Sequence, residues 1–350
     1  MQSINGMAEK LRALLASDEQ FEVPGCFDVL SAMILEKAGF RAVFMSGYGV
    51  AASFLGSPDI GLTSLVETAA VTRNVASALH IPLVVDADNG YGNENNVVRT
   101  VSELERAGAA AMILEDQVFP KRCGHAGGKQ VIALDQYMRK LDCALKARQT
   151  PMCIVARTDA MSVDEGILRA KRFHAAGADV VLIDGLPSLD ALKRVGEEVP
   201  GHKVINLIFG GKTPLLKSRD LHDLGFKIIL YSTPALYTAA NAMLQTMQRL
   251  NETRDLNSIS GESMNFREFQ SFVEGGYLRR RGSETLLESY PAPHDDGVAS
   301  SLTTPPSADV ASSLTTPPSA DVPSAPPEAQ SVFAAAAARP YRSEDPRDTP

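Results

Sequence analysis

Short apolar runs recur along the chain at 21–25, 42–46, 83–86, 112–115, 153–157, 180–184, 204–206 and 228–231. Between them lie segments whose apolar residues return every three or four positions, at 30–38, 65–79, 97–107, 134–148, 163–176, 189–197 and 214–224. The first pattern predicts buried strands and the second amphipathic helices. Several helical segments close on Ala38-Gly39, Ala107-Gly108, Ala176-Gly177 or Leu224-Gly225, where glycine supplies a left-handed cap before the next strand. Strict alternation of strand and helix implies parallel strands joined by right-handed crossovers. Eight such units in about 250 residues suit a closed (β/α)8 TIM-type barrel better than an open doubly wound sheet. No Gly-x-Gly-x-x-Gly follows the first strand to support a dinucleotide fold.

The pattern stops near residue 290. Residues 298–309 recur unchanged as 310–321, followed by Pro- and Ala-rich sequence. Such composition cannot bury enough surface to offset chain entropy. The expected organisation is a catalytic barrel over 1–290 and a disordered Pro/Ser/Ala-rich tail over 291–350.

Composition narrows the class. A net charge of −8 and a pI near 5.4 argue against a nucleic-acid surface. Four cysteines in 350 residues do not make a disulfide framework, which favours a reducing compartment. No apolar run reaches the roughly 18–20 residues that span a bilayer, and the first residues lack the basic-then-apolar signal pattern. The expectation is a cytoplasmic protein with no membrane or nucleic-acid partner.

The chemistry concentrates between residues 84 and 125. Val84-Val85-Asp86-Ala87-Asp88 and Ile113-Leu114-Glu115-Asp116 set acidic residues directly after apolar runs, and Lys121-Arg122-Cys123-Gly124-His125 follows. In a barrel, residues at the carboxyl ends of strands line the active site. That rule selects Ser46, Gly47 and Tyr48, then Asp86, Asp88, Glu115, Asp116, Arg157, Asp159, Asp184, Asn206 and Ser232. A single aspartate more often solvates a loop or caps a helix, but clusters at consecutive strand ends point to a site. Such carboxylates suit Mg2+, which keeps positions free for substrate oxygens. Cys123 stands among charged and glycine neighbours, and Lys121, Arg122 and His125 are expected to lower its thiol pKa. Cys26, Cys143 and Cys153 lie in apolar contexts and read as core.

Five motifs in order, Ser46-Gly47-Tyr48-Gly49, Asp86-Ala87-Asp88-Asn89-Gly90-Tyr91-Gly92, Glu115-Asp116-Gln117, Lys121 to His125, and Ala156-Arg157-Thr158-Asp159-Ala160, resemble the isocitrate lyase/phosphoenolpyruvate mutase superfamily over about residues 20–280. The resemblance implies a (β/α)8 barrel in dimers or tetramers that exchange their last helix. It implies Mg2+, with Mn2+ as an alternative, and small α-oxo or α-hydroxy carboxylate substrates. By resemblance Asp86 is the direct metal ligand, Asp88 and Glu115 hold the metal through water, and Asp59 lies near it. The backbone around Ser46 and Gly47, with Arg157, resembles the clamp on the α-oxo acid carboxylate, a task suited to a planar guanidinium. Tyr48 resembles the hydroxyl beside the reacting oxygen. Gly124, His125, Asp184, Asn206 and Ser232 complete the substrate-binding set.

The Lys-Arg-Cys-Gly-His form is similar to carbon–carbon lyases and oxaloacetate hydrolase, in which a thiol protonates the leaving enolate. Methylisocitrate and dimethylmalate lyases usually carry proline after the strand-eight tyrosine, whereas Ser232 resembles the oxaloacetate hydrolases. Asp184 stands where relatives usually place glutamate. Phe209 replaces a glutamate found in many members, which makes the distal pocket more apolar. The implied activity is Mg2+-dependent C–C cleavage of a short dicarboxylate, either oxaloacetate hydrolysis or malate-type lysis. The alternatives are a phosphonopyruvate hydrolase or phosphoenolpyruvate mutase activity, and a barrel that binds a metabolite without catalysis.

Overall fold

The computed structural model describes residues 4–125 and 127–281. Eight strands, β1 (Phe21–Cys26), β2 (Val43–Met45), β3 (Leu83–Asp86), β4 (Ala111–Glu115), β5 (Cys153–Thr158), β6 (Val180–Ile183), β7 (Lys203–Leu207) and β8 (Ile228–Tyr231), form a closed parallel barrel in chain order. Closure is direct: Phe21 to Pro24 of β1 pair in register with Ile228 to Tyr231 of β8. The strand and helix alternation read from the sequence is therefore present as a (β/α)8 fold. The proposed boundary at 290 and the 291–350 tail lie outside the described residues.

Strand parity builds two cores. Residues such as Phe21, Val23, Phe44, Val84, Ile113, Val155, Leu182, Val204 and Leu230 fill the barrel interior. Their alternates, Met45, Val85, Met112, Leu114, Ile154, Val181, Ile205 and Ile229, pack outward against the helical ring. Every strand is buried on both faces, which is why the runs read as continuously apolar. The ring comprises α2 (Val29–Lys37), α4 (Leu65–Ala78), α5 (Glu94–Ala107), α6 (Leu134–Ala147), α7 (Val163–Ala175), α8 (Leu189–Glu198) and α9 (Ser218–Asp223). Helix α5 shows the local logic: Asn93 caps its start, and Gly108 ends it at φ 95, a left-handed value that glycine adopts freely.

Four helices have no counterpart in the sequence reading. Helix α1 (Ile4–Ala16) precedes the first strand, and its Leu11 and Leu15 close the bottom of the barrel interior. Helix α3 (Gly47–Val50) leads into a π-helical turn, Ala51–Leu55. Helix α10 (Pro234–Thr253) and helix α11 (Phe266–Arg281) follow the last strand. The segment expected to be helical over 214–224 contracts to α9, because residues 208–217 form a loop over the site.

Candidate active site

The parity that packs the interior also places the site. Moving two residues beyond an interior apolar position leads from Phe44 to Ser46, Val84 to Asp86, Ile113 to Glu115, Val155 to Arg157, Leu182 to Asp184, Val204 to Asn206 and Leu230 to Ser232. Each of these sits one step above the apolar plug, on the carboxyl rim. They line, together with Tyr48, Asp59, Cys123, Gly124 and His125, a cavity of about 310 Å3; Glu115 stands just behind, buried at 1 % exposure. The opposite parity separates Asp116 from its neighbour. It accepts from the Thr158 hydroxyl at 2.6 Å and pairs with Arg169 at 2.9 Å, outside the cavity.

The acidic side is organised around a lysine. Lys121 Nζ lies 2.6 Å from Asp59 and 2.7 Å from Asp88, all three buried. Burial works against the charge of Lys121, yet Asp88, Asp86, Glu115 and Asp59 reverse this and hold its pKa well above the ordinary value. Burial, with Asp86 and Asp59 adding to it and Lys121 opposing, raises the Asp88 carboxyl to about 6. Burial also lifts Glu115 well above the usual carboxylate range, against the pull of Arg157 and Lys121. Asp86 accepts from the amides of Gly47 at 3.3 Å and Asp88 at 3.2 Å.

This set fits a hard divalent cation. A Cβ at Gly47 would stand 2.9 Å from Asp86 Oδ2 and 3.4 Å from Asp88 Oδ1, so both carboxylates face one small space that glycine leaves open. Glu115 Oε1 is buried without a hydrogen-bond partner. Among the described residues no three acidic, histidine or cysteine side chains converge for direct chelation.

The opposite side is a buried ion and hydrogen-bond chain. Arg157 is in register with Glu115 across β4 and β5 and reaches Glu115 at 3.3 Å, Asp159 at 2.9 Å and Asp184 at 2.9 Å. Lys129 adds 2.8 Å to Asp159. Burial alone would raise Asp184, but Arg157, with His125 and Lys129, more than reverses it and holds the carboxyl below its ordinary range. Ser232 Oγ donates to Asn206 Oδ1 at 2.6 Å, and Asn206 Nδ2 donates to Asp184 Oδ1 at 3.0 Å. His125 Nδ1 accepts from the Lys212 amide at 3.0 Å. This assigns the ring proton to Nε2, which faces Asp184 at 3.4 Å.

The Cys123 loop is seated against this chain. A Cβ at Gly124 would fall 1.8 Å from Asp184 Oδ2 and 2.4 Å from Arg157 Nη2, so only glycine permits this approach. At the mouth Tyr48 packs edge-on against Tyr237 of α10, with ring centroids 6.3 Å apart. Their hydrogen bond, with burial second, pushes the Tyr48 hydroxyl up to about 12. Phe209 lines the entrance at 80 % exposure.

Two expectations about the cysteines, the thiol pKa of Cys123 and the core placement of Cys143, are corrected. The charged neighbours do not lower the Cys123 thiol: burial raises it above its ordinary value near 9, despite the His125 amide and Arg157 acting downward. The reason is direction, since Lys121 turns to Asp59 and Asp88, Arg122 to the Gly127 carbonyl and His125 to Asp184. Cys26 and Cys153 are buried as expected, whereas Cys143 is half-buried. Lys129, Tyr237 and Thr233 were not anticipated. The sequence Ser232-Thr233-Pro234, with proline at the start of α10, was the available signal for the last two.

A parallel eight-stranded barrel carrying acidic, arginine and cysteine side chains on its carboxyl rim defines a TIM-barrel enzyme. The pattern of the phosphoenolpyruvate phosphomutase family matches residues 11–251. The chain therefore belongs to that family, within the phosphoenolpyruvate mutase/isocitrate lyase superfamily, whose members similar to it are lyases and hydrolases. It is 37% identical over 270 residues to the 2,3-dimethylmalate lyase of Eubacterium barkeri, covering 76% of this chain and 93% of that one. A solved oxaloacetate acetylhydrolase in complex with the inhibitor 3,3-difluorooxalacetate matches with TM-score 0.73 and 32% identity, covering 80% of this chain and 97% of that one. A phosphonopyruvate hydrolase in complex with oxalate and Mg2+ matches with TM-score 0.71 and 26% identity over 80% and 99%. Among the described residues no helix is long and apolar enough to cross a membrane.

Proposed function

We propose that the chain catalyses Mg2+-dependent cleavage of the C2–C3 bond of a small 2-oxo or 2-hydroxy dicarboxylate, with oxaloacetate hydrolysis the favoured reaction. The observation that carries this reading is one cavity lined jointly by Asp86, Arg157, Cys123 and Ser232. Asp86, with Asp88, Glu115 and Asp59 beside it, would hold Mg2+, which supplies Lewis-acid stabilisation of charge on the substrate oxygens. The Arg157 guanidinium and the backbone at Ser46 and Gly47 orient the C1 carboxylate. Tyr48 stands beside the C2 oxygen, its raised pKa keeping the hydroxyl protonated.

For oxaloacetate, water adds to C2 to give a hydrate. The Ser232 hydroxyl donates its hydrogen bond to Asn206 Oδ1, so its lone pairs are left to accept from a hydrate hydroxyl and hold that species in place. A base takes one hydroxyl proton of the hydrate and C2–C3 breaks, leaving hydrogen oxalate, which gives up its remaining proton to solvent, and the enolate form of acetate. Cys123 protonates the enolate carbon, and the proton held by the base returns to the thiolate. A raised thiol pKa suits this task, because the group enters the step as an acid. The same residues would cut a substituted malate into an α-oxo acid and a smaller carboxylate, with Phe209 at the substituent.

Purified protein with Mg2+, offered oxaloacetate, 2-methylisocitrate, 2,3-dimethylmalate and phosphonopyruvate, tests the reading. Oxalate from oxaloacetate, lost with chelator and reduced by about 10^2-fold or more in Cys123→Ser, is the expected result. An α-oxo acid from a substituted malate would make the chain a lyase, turnover of phosphonopyruvate would transfer it to phosphonate chemistry, and silence on all four would leave a binding barrel. Helix α10 has no buried residue within one chain, and Met243, Leu244 and Met247 on it are exposed, as are Phe266 and Phe269 of α11. These faces support a homo-oligomer, a dimer or tetramer, which light scattering would measure.

A further inference from the structure

The loop that presents Asp86 and Asp88 is strained, and a lysine outside the cavity holds it. Asp88 adopts φ 46 and Tyr91 φ 59, with Gly90 at φ 81 between them. For residues with side chains this left-handed region is sparsely populated, and it persists only where the surroundings over-determine it. The restraints come from behind the site. Lys140 of α6, 3 % exposed, donates through Nζ to the Asn89 carbonyl. The Thr100 hydroxyl donates to the Gly90 carbonyl at 3.2 Å, and the Tyr91 hydroxyl donates to Thr68 at 2.9 Å. Lys140 is the charged member of this set, and no carboxylate lies in ion-pair distance of it among the described residues.

We infer that Lys140 is a positioning residue for the candidate metal loop: it fixes the Asn89 carbonyl and thereby the direction of the Asp86 and Asp88 carboxylates. A buried lysine with no carboxylate in ion-pair distance, its burial opposed only from further away by Glu94, Glu115 and Asp116, has given up hydration for a backbone acceptor. The acceptor sits one residue beyond Asp88, whose own amide bonds Asp86 Oδ1. Freeing Asn89 therefore relaxes both carboxylates at once. The role rests on the proposed metal reading only for its consequence, not for the restraint itself.

The test uses the full chain with Lys140→Met, similar in length without the charge, and Lys140→Arg as the conservative variant. Two readouts are taken, deuterium uptake across residues 86–92 and Mn2+ affinity from the free-ion electron paramagnetic resonance signal. Expected for Lys140→Met is faster exchange confined to 86–92, where the Gly90 amide bonds Ala87 O at 2.9 Å and the Tyr91 amide bonds Asn89 Oδ1 at 3.1 Å. Mn2+ binding weakens by about tenfold or more, with at least partial recovery in Lys140→Arg. Unchanged exchange in the loop, acceleration spread evenly over the barrel, or Mn2+ binding as tight as or tighter than in the unsubstituted chain would overturn the inference. The last outcome would mean that the lysine charge merely repels the cation. If the unsubstituted chain does not bind Mn2+, the metal reading fails, and loop exchange alone decides whether Lys140 positions the loop.

Discussion

Gly124→Ala isolates the contact between the Cys123 loop and the ion chain. The added Cβ would lie 1.8 Å from Asp184 Oδ2 and 2.4 Å from Arg157 Nη2. Ordinary contact begins near 3.4 Å, so the methyl is short by about 1.6 Å. Neither partner yields easily: Asp184 is held by Arg157 at 2.9 Å and Asn206 at 3.0 Å, and Arg157 by Asp159 at 2.9 Å. The loop must therefore lift by a comparable distance, taking Cys123 with it. A displacement on the order of 1 Å costs roughly 10^2-fold in rate, or about 2.7 kcal/mol in the barrier. Steady-state turnover should show that loss chiefly in kcat. The rate at which Cys123 reacts with a disulfide reagent should rise, because the thiol leaves its buried seat. Wild-type kcat together with unchanged thiol reactivity would refute the seating of this loop.

Burial raises the Cys123 pKa above its ordinary value, so Cys123→Ser should leave the thiolate absorbance between pH 6 and 8 unchanged; absorbance in that range that the substitution removes would contradict the acid role. Ser232→Ala leaves Asn206 Oδ1 without its donor, an expected loss of about 1–3 kcal/mol in binding or stability, and should slow oxaloacetate turnover more than turnover of a 2-hydroxy acid. Lys129→Met breaks the buried pair with Asp159 at 2.8 Å and should destabilise by about 3–5 kcal/mol, read as a denaturant midpoint shift at constant slope. Asp184, with a folded pKa below its unfolded one, contributes stability present above about pH 4 and lost as pH falls further; Asp184→Asn should flatten that acid limb of the stability profile.

The barrel was legible because strands buried on both faces announce themselves as apolar runs, and because glycine caps mark the helix ends between them. The site was legible for the same reason of parity: Asp86, Glu115, Arg157, Asp184, Asn206 and Ser232 each stand two residues beyond an interior apolar position. Parity also distinguishes Glu115 from Asp116, a distinction available in the sequence. Side-chain direction in the irregular loop was not legible. Lys121 sits two residues before Cys123, yet points to Asp59 and Asp88, and Lys129 reaches Asp159 across a loop that carries no periodicity. Helix α10 was missed because it follows the last strand and no residue of it is buried within the chain, so it stands outside the strand and helix alternation that marks the barrel.

The charge of the site leads to a binding order. Asp59, Asp86, Asp88, Glu115, Asp159 and Asp184 gather around the cavity, against Lys121, Lys129 and Arg157. The six carboxylates thus outnumber the three cations by three, although only Asp86 lacks an ion pair to one of them, and burial urges Asp88 and Glu115 toward the protonated form. A dicarboxylate entering that space meets net repulsion in a low-dielectric setting, where charge interactions are screened least. A divalent cation removes most of the excess, so it must arrive before the substrate. Calorimetry with oxalate should then show no measurable heat in the presence of chelator and clear binding once Mg2+ is supplied. Mg2+ binding itself near pH 6 should release protons, since Asp88 titrates there. Oxalate that binds equally well with and without Mg2+ would show that Arg157 and the loop amides suffice, and would refute the order.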